Sequence, residues 1–444
     1  MFNFKYNFLV LIQIFLNAIN ALLLIKVFGV SGQGDAYLLG VSIISAIQLV
    51  QLVFFEQFLI FYTDLKSKSS NESNKFYNTV LFLSCILGIA SVIGLFVFKS
   101  LVLKIFVFDI DLIRLKYLNS ISGILFLGLM FTPISALNEK LLNAERSFSI
   151  PYILMSLPTF FIVIAQLMIY FLNRNEIIYL AYGQVFGIAL SAIIGTVFIS
   201  KKLVPFKFNF YHPDVKALVK NSFTTQLGGN IYNTLLPVCI NNFLVTMSAG
   251  TVSYFYYAKK IIDTLKLLTV GPSSKILKTN LTNFWVTDDV EKIKKDIKKF
   301  LKGSSLLMGF GIVVSFLILP TALKIVSMGK LSNNDLMNIN YIFLSLCPWY
   351  LVAVIEAPYI LTIFIAKKSK IVILTNIGFI AMFFISILIL RDSIGIYAIA
   401  AGGLFAQFFN YIIYKNFAKK LLLKLNIAGQ SVINSAKIVC SVDR

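Results

Sequence analysis

Four charged residues stand in a stretch that is otherwise apolar or uncharged: Lys259, Lys260, Asp263 and Lys266, within AGTVSYFYYAKKIIDTLKLLTVGP (249–272). The stretch is about 24 residues long, enough to cross a hydrocarbon layer of roughly 30 Å as a helix. At 100° per residue, Lys259, Asp263 and Lys266 share one face and Lys260 lies beside it. Charge inside a membrane costs at least a few kcal/mol per residue, so such groups face a wet cavity or a partner. Two chemistries fit. Lys259 and Asp263, four residues apart, can neutralise one another while Lys266 snorkels to the interface. Alternatively, the three ammonium groups form a cationic wall for an anionic substrate. Three lysines against one aspartate leave a positive excess, which favours the wall.

The rest of the chain must position that helix. Of 444 residues, 58% are hydrophobic and 13% charged, with 42 Phe and a mean hydropathy of +0.85. Soluble globular proteins average near a quarter charged, so this is a polytopic membrane protein. Transmembrane barrels alternate apolar and polar residues over short segments; these runs are continuously apolar, and the fold class is all-α. The net charge of +21 does not indicate nucleic acid, because the basic residues sit in short loops between spans. Cys85, Cys239, Cys347 and Cys440 show neither disulfide nor metal spacing. His212, beside Pro213 in a basic loop, reads as a solvated residue. The first apolar run has no small-residue cleavage site and reads as a retained span.

Twelve spans are expected, near 6–28, 36–62, 76–98, 119–142, 149–172, 177–199, 219–243, 249–272, 304–325, 338–363, 370–391 and 394–415. With both termini cytoplasmic, about 28 of the 40 Lys and Arg residues fall inside, about nine outside and three within the eighth span. A faint internal repeat relates Gly34-Asp35-Ala36-Tyr37 to Thr251-Val252-Ser253-Tyr254, and Ala144-Glu145-Arg146-Ser147 to Ala366-Lys367-Lys368-Ser369. Six spans per half make the repeats parallel. The expected organisation is a first six-helix lobe (1–205), a second (206–418) and a basic cytoplasmic tail (419–444). Transporters built this way hold substrate between their halves near the midplane. Residues 288–302 place Val290, Ile293, Ile297, Phe300 and Leu301 on one face, with Asp288 and Glu291 as a capping box. This segment reads as an amphipathic helix lying on the membrane.

Catalytic signals are missing: there is no GxxxxGK[ST], no HExxH and no CxxC, and one His leaves no Ser-His pairing. A transporter without cofactor or metal is expected. Polar residues gather instead in the first, second, seventh and eighth spans. Candidate substrate contacts are Asn20, Gln48 and Asn230, with Asp35 at the outer end of the second span. Interhelical hydrogen bonding would also account for the amides. Glu56 and Glu356 lie toward the cytoplasmic ends of their spans, as gate residues or snorkelling acids, and Asp263 joins them as a gating or structural acid.

SAGTVSYFYYAKKIIDTLKLL (248–268) resembles the eighth-helix signature of the MurJ (MviN) lipid-linked glycan flippases, of the multidrug/oligosaccharidyl-lipid/polysaccharide (MOP) exporter superfamily. VFGVSGQGDAYLLG (27–40) is similar to their first loop, with Asp35 at the place of its acidic residue. LLNAERSFSIPYILMSLPTFF (141–161) and EAPYILTIFIAKKSKIVILTNIG (356–378) resemble their fourth-to-fifth helix turn and its second-lobe equivalent. The likeness runs through about 415 residues. It implies a MATE-like fold, residence in the bacterial cytoplasmic (inner) membrane, and alternating access. The family's cavity arginines are replaced here by Asn20 and Gln48, and Lys260 stands where an arginine is usual. No carboxylate in the seventh or eleventh span supports a family-type sodium site. The implied substrate is an undecaprenyl-pyrophosphate-linked saccharide: an O-antigen or capsule repeat unit, as for Wzx-like flippases, or a lipid II-like precursor. Lys259, Lys260 and Lys266 would hold its pyrophosphate in a monomer, amid membrane lipids and driven by a coupling ion or the membrane potential. A cation-coupled drug or small-molecule antiporter on the same scaffold is the competing class, and a non-transporting scaffold for a biosynthetic complex the third.

Overall fold

A computed structural model of the chain describes residues 4–442 apart from 56, 148, 173–175 and 367; the side chains of 4–8, 10, 11, 14, 224–231, 272, 275, 286, 326, 369, 426 and 428–442 also fall outside that description. Every regular element described is helical. The helices are α1 (Phe4–Phe28), α2 (Gly32–Leu52), α3 (Phe58–Lys68), α4 (Ser70–Val97), α5 (Lys99–Phe106), α6 (Leu112–Gly128), α7 (Thr132–Ala144) and α8 (Ser149–Leu172). They continue as α9 (Ile178–Lys202), α10 (Asp214–Val245), α11 (Thr251–Val286), α12 (Val290–Ser327), α13 (Asn333–Ile365), α14 (Ser369–Ile394) and α15 (Tyr397–Val442). Among the described residues, seven stretches are long and apolar enough to cross a membrane, or eight if the α6–α7 pair, bent by 40°, is one span. The remaining four long helices, α1, α10, α11 and α15, have at least 25 residues each. Much of the outer surface is apolar: Phe171, Phe310, Leu317 and Leu374 are each more than two-thirds exposed. Such a surface belongs in lipid.

The chain divides into two compact units, Met1–Tyr257 with Thr321–Leu336, and Ala258–Pro320 with Met337–Arg444. In the first, α8 and α9 meet through Gly183-x-x-x-Gly187. A Cβ on Gly187 would lie 2.5 Å from Pro158 Cα, and one on Gly183 2.7 Å from the Phe161 carbonyl oxygen. Backbones approach this closely only where side chains are absent. A second core joins Phe58, Tyr62, Phe76, Tyr77, Leu137 and Leu141. In the other unit, Trp349 stacks near Phe379 and Phe383, while Ile363, Val372 and Tyr414 form a smaller cluster.

The first turns of α11 are the best-fixed part of the first unit. Asp35, fully buried in α2, accepts from the Gly250 backbone N–H (2.7 Å), the Ser253 N–H (2.8 Å) and the Ser253 hydroxyl (2.6 Å). These N–H groups belong to a helix start, where no intrahelical acceptor exists. Arg114 balances the carboxylate at 3.6 Å, pairs with Asp111, and donates to the Val245 and Met247 carbonyls at 2.9 Å. Gly250 adopts φ +95°, and a Cβ there would sit 2.3 Å from Val30 Cγ1; only glycine satisfies both conditions. Tyr257 donates to the Gly29 carbonyl (2.8 Å) and Tyr256 to Asn241 Oδ1 (2.6 Å). Tyr254 donates to Asp335.

Beyond this clamp α11 departs from expectation. It runs past Gly271 to Val286, where the sequence suggested an end at Pro272, and α12 carries residues 290–303 straight into the ninth span. Residues 288–303 are therefore not a separate helix on the membrane surface. Leu265 lies against Gly311, Ser273 Oγ is 3.0 Å from Ser304 Oγ, and Asn280 donates to Asp296 at 2.7 Å. These pairs set α11 and α12 antiparallel. The apolar face of Val290, Ile293, Ile297 and Phe300 is buried, as are Leu277 and Leu281: the two amphipathic stripes hide each other rather than facing lipid. Asp289, not Asp288, supplies the cap, accepting from the Lys292 N–H at 3.1 Å. At 1.5 Å per residue the 36 residues of α11 reach about 54 Å.

Three substitutions test these anchors through the thermal unfolding temperature of the detergent-purified protein. Asp35→Ala strands three buried donors and should cost about 3 kcal/mol or more, against about 1 kcal/mol for Ser253→Ala. Gly187→Val should cost about 1–3 kcal/mol by forcing α8 and α9 apart. An unshifted transition in Asp35→Ala would remove the clamp from the account.

Candidate functional site

The charged face of α11 begins six residues past Ser253, the last residue that Asp35 holds. Lys259, Lys260 and Lys266 lie roughly 12, 14 and 23 Å along the helix from Thr251 at 1.5 Å per residue. Lys259 is ion-paired with Asp263 Oδ2, as an i, i+4 pair should be. Tyr350, on α13, donates to the other carboxylate oxygen, Oδ1, at 2.6 Å. Both oxygens of Asp263 are thus occupied. Lys266 stands over the Tyr350 ring, 5.6 Å from its centroid, within cation–π range. Lys260 is half-buried, and among the described residues no carboxylate lies within ion-pair distance of it. The face therefore carries three ammonium groups against one carboxylate already engaged by Lys259 and Tyr350. Tyr350 was not singled out from the sequence, where CPWYL reads as ordinary aromatic packing. Its hydroxyl and ring organise the face.

The other candidates are held elsewhere. Asp35 has both oxygens committed to the α11 N-terminus, so geometry gives it the work of positioning the helix. Asn20 accepts from the Gln166 amide at its Oδ1 (2.8 Å) and its carbonyl (3.1 Å). Gln48 donates to Thr132 Oγ1 at 3.2 Å. Both make the interhelical hydrogen bonds that amides in a bundle commonly make. Asn230 and Glu56 lie outside the described residues. Glu356 is 3% exposed and accepts from the Gln407 side chain, whose Oε1 accepts in turn from Trp349 Nε1–H at 3.0 Å. It does not snorkel: the carboxylate is buried within α13 and α15. Neither Gln407 nor Trp349 offered a sequence signal beyond a polar residue in an apolar run.

His212 also departs from expectation. It is buried, edge-on to Phe76 at 5.2 Å between ring centroids, and its Nδ1 accepts from the Asp214 N–H at 3.3 Å. Among the described residues no three His, Cys, Asp or Glu side chains are grouped to hold a metal ion.

Known proteins place this architecture. Solved structures similar in fold include "Lipid II flippase MurJ, inward closed conformation", with a TM-score of 0.78, 17% identity, and coverage of 98% of this chain and 92% of that one. An inward-facing multidrug resistance MATE family transporter of the MOP superfamily aligns with a TM-score of 0.79 at 12% identity, over 93% of this chain and 95% of that one. A MOP superfamily transporter from Pyrococcus furiosus follows with a TM-score of 0.65 at 13% identity, over 93% and 94%. At these identities the likeness is one of fold. No curated protein matches the chain in sequence. The profile of the family described as lipid II flippase MurJ, however, matches residues 24–442. On that match across nearly its whole length, the chain belongs to the MurJ lipid II flippase family, whose members are membrane transporters and not enzymes.

Proposed function

We propose that the protein moves an undecaprenyl-pyrophosphate-linked saccharide from the cytoplasmic to the outer leaflet of the bacterial inner membrane, as a monomer, by alternating access. The carrying observation is the net positive face of α11. Lys260 has no carboxylate partner among the described residues, while Lys266 rests on the Tyr350 ring with Asp263 and Glu356 within electrostatic reach but no ion pair to either. An isolated ammonium group in a membrane helix is costly, and a pyrophosphate removes that cost by supplying the missing anion. Lysines act as point charges on flexible stems, so they can follow a headgroup whose position changes during transport. The sugar would be hydrogen-bonded by polar side chains and the prenyl chain left in lipid. An O-antigen or capsule repeat unit fits these contacts as well as a lipid II-like precursor does. Membrane potential or a coupling ion would drive the cycle. Asp35 and Arg114 serve this reading as positioning residues, because they fix the helix that carries the lysines.

One observation favours the antiporter reading: Glu356 is a buried intramembrane carboxylate of the kind cation exchange requires. Its hydrogen bond to Gln407 and the excess of lysines on α11 weigh against it as a cation site.

The test is glycan export in a strain lacking its own flippase, with protein level followed by blot. Lys260→Gln should reduce export about tenfold, equivalent to about 1.4 kcal/mol of headgroup binding, and Lys260→Glu should abolish it. Lys259→Gln should be milder, since Lys259 is already neutralised by Asp263. Glu356→Gln should leave glycan export within twofold of wild type. Normal export in Lys260→Glu would sink the headgroup site, and retained or improved export of a cationic drug by that variant would select the antiporter.

A further inference from the structure

The α11–α12 hairpin holds a cleft of about 310 Å³ whose lining begins at Ser273, seven residues past Lys266. Its apolar wall is Ile276, Phe300 and Leu307, and its polar end is Lys299 with the Asn280–Asp296 pair. Leu307 and Asp296 are eleven residues apart, about 16 Å along the helix. The cleft thus changes from apolar beside the span to polar beyond it. Ile276 and Leu307 are more than half exposed, so the wall is open to an occupant.

Beside that polar end runs a stripe of lysines. Lys295, Lys298, Lys299 and Lys302 are exposed and follow i, i+3, i+4, i+7, which places them on one helix face. No ion pair engages any of the four among the described residues. Their neighbours differ: Lys292 pairs with Asp289 and Lys294 with Glu291. Like charges at this spacing destabilise a helix, and an external anion removes the penalty. The stripe ends at Lys302, immediately before exposed Leu306, Leu307 and Phe310. Lysines that flank a span on its basic side lie at the level of anionic headgroups in the cytoplasmic leaflet, each contributing about 1 kcal/mol of attraction.

From these features we propose that the cleft binds one anionic diacyl phospholipid of the cytoplasmic leaflet. Its phosphate lies against Lys299 and the adjacent lysine stripe, and an acyl chain lies along Ile276, Phe300 and Leu307. Free phosphate would gain nothing from the apolar wall, and a soluble polyanion would leave that wall uncovered. The site goes beyond the proposed transport activity. It is a structural lipid site that braces the helix bearing the charged face.

The full-length protein in nanodiscs of phosphatidylcholine, with or without phosphatidylglycerol and free of any polyprenyl lipid, tests this by native mass spectrometry and thermal unfolding. One phosphatidylglycerol should bind saturably and raise the unfolding temperature. Replacing the four lysines with glutamine should weaken that binding at least tenfold. Gly303 lines the cleft, and no heavy atom beyond its own neighbourhood lies within 4 Å of where its Cβ would stand. Gly303→Leu should therefore fill the cleft and favour the helix, abolishing saturable binding without loss of stability in phosphatidylcholine alone. Equal binding of the two phospholipids overturns the proposal. Saturable binding that survives Gly303→Leu but not the lysine changes also overturns it, since that is diffuse surface attraction. Displacement of phosphatidylglycerol by equimolar undecaprenyl phosphate would assign the cleft to the transported lipid instead. Export lost in Lys260→Glu with lipid binding intact keeps the two readings separate.

Discussion

The carboxylate of Asp35 on the N-terminus of α11 is the contact on which the first unit's hold over that helix depends. A helix start presents backbone N–H groups without intrahelical partners and the positive end of its dipole. In a membrane protein no water is at hand to satisfy them, so a buried acceptor with full negative charge suits the place. Asp35 takes three donors from two residues. Arg114 then offsets the remaining charge, and is itself tied to the carbonyl of Val245 at the end of α10 and that of Met247 just past it. The chain segments 29–35, 245–257 and 111–114 are in this way locked by one closed set of donors and acceptors. The consequence is local: the start of α11 is set here, its last contact with Asp35 falling at Ser253.

Much of this was legible in the sequence, for a definite reason. Spans announce themselves by length and apolarity, and the charged face of α11 follows from helical periodicity alone. The pairing of Lys259 with Asp263 is a local, four-residue relation and was foreseeable. What sequence could not supply were partners distant in the chain. Asp35 read as a candidate substrate contact because it stands at the outer end of a polar span; its donors come 215 and 218 residues later. Asn20 and Gln48 read as cavity-lining amides, yet their partners are Gln166 and Thr132, on helices whose neighbours only the fold reveals. Tyr350 gave no signal because a tyrosine in an apolar run is unremarkable until an aspartate is opposite its hydroxyl.

The α11–α12 hairpin shows the same limit in another form. A single amphipathic stretch such as 290–303 has two ways to hide its apolar stripe, against lipid or against another helix. The second is available only if α11 continues past Gly271, which GPSSK gives no reason to expect. Once it does, Leu277 and Leu281 present a complementary stripe, and the two halves bury each other. The stripe that looked like a membrane contact is spent within the protein, and the hairpin's lysines are left facing outward.

The two acids of the second unit illustrate how charge is tolerated in such a fold, and why the lysines are the functional candidates. Glu356 is buried and held by Gln407, which Trp349 orients; it is embedded in a fixed network. Asp263 is partly open, with its side chain 45% exposed, but is gripped by Lys259 and Tyr350 from either side. Neither acid is placed to neutralise Lys260. A transport site must bind its anion and then release it, so its charges should be neither cancelled nor clamped in bidentate geometry. Arginine forks favour fixed, paired contacts, whereas lysines make looser point contacts. A half-buried lysine left unpaired beside a neutralised pair meets both requirements. If α11 carries the anionic headgroup as proposed, that combination points to Lys260, rather than the more conspicuous Lys259–Asp263 pair, as the residue on which its recognition should turn.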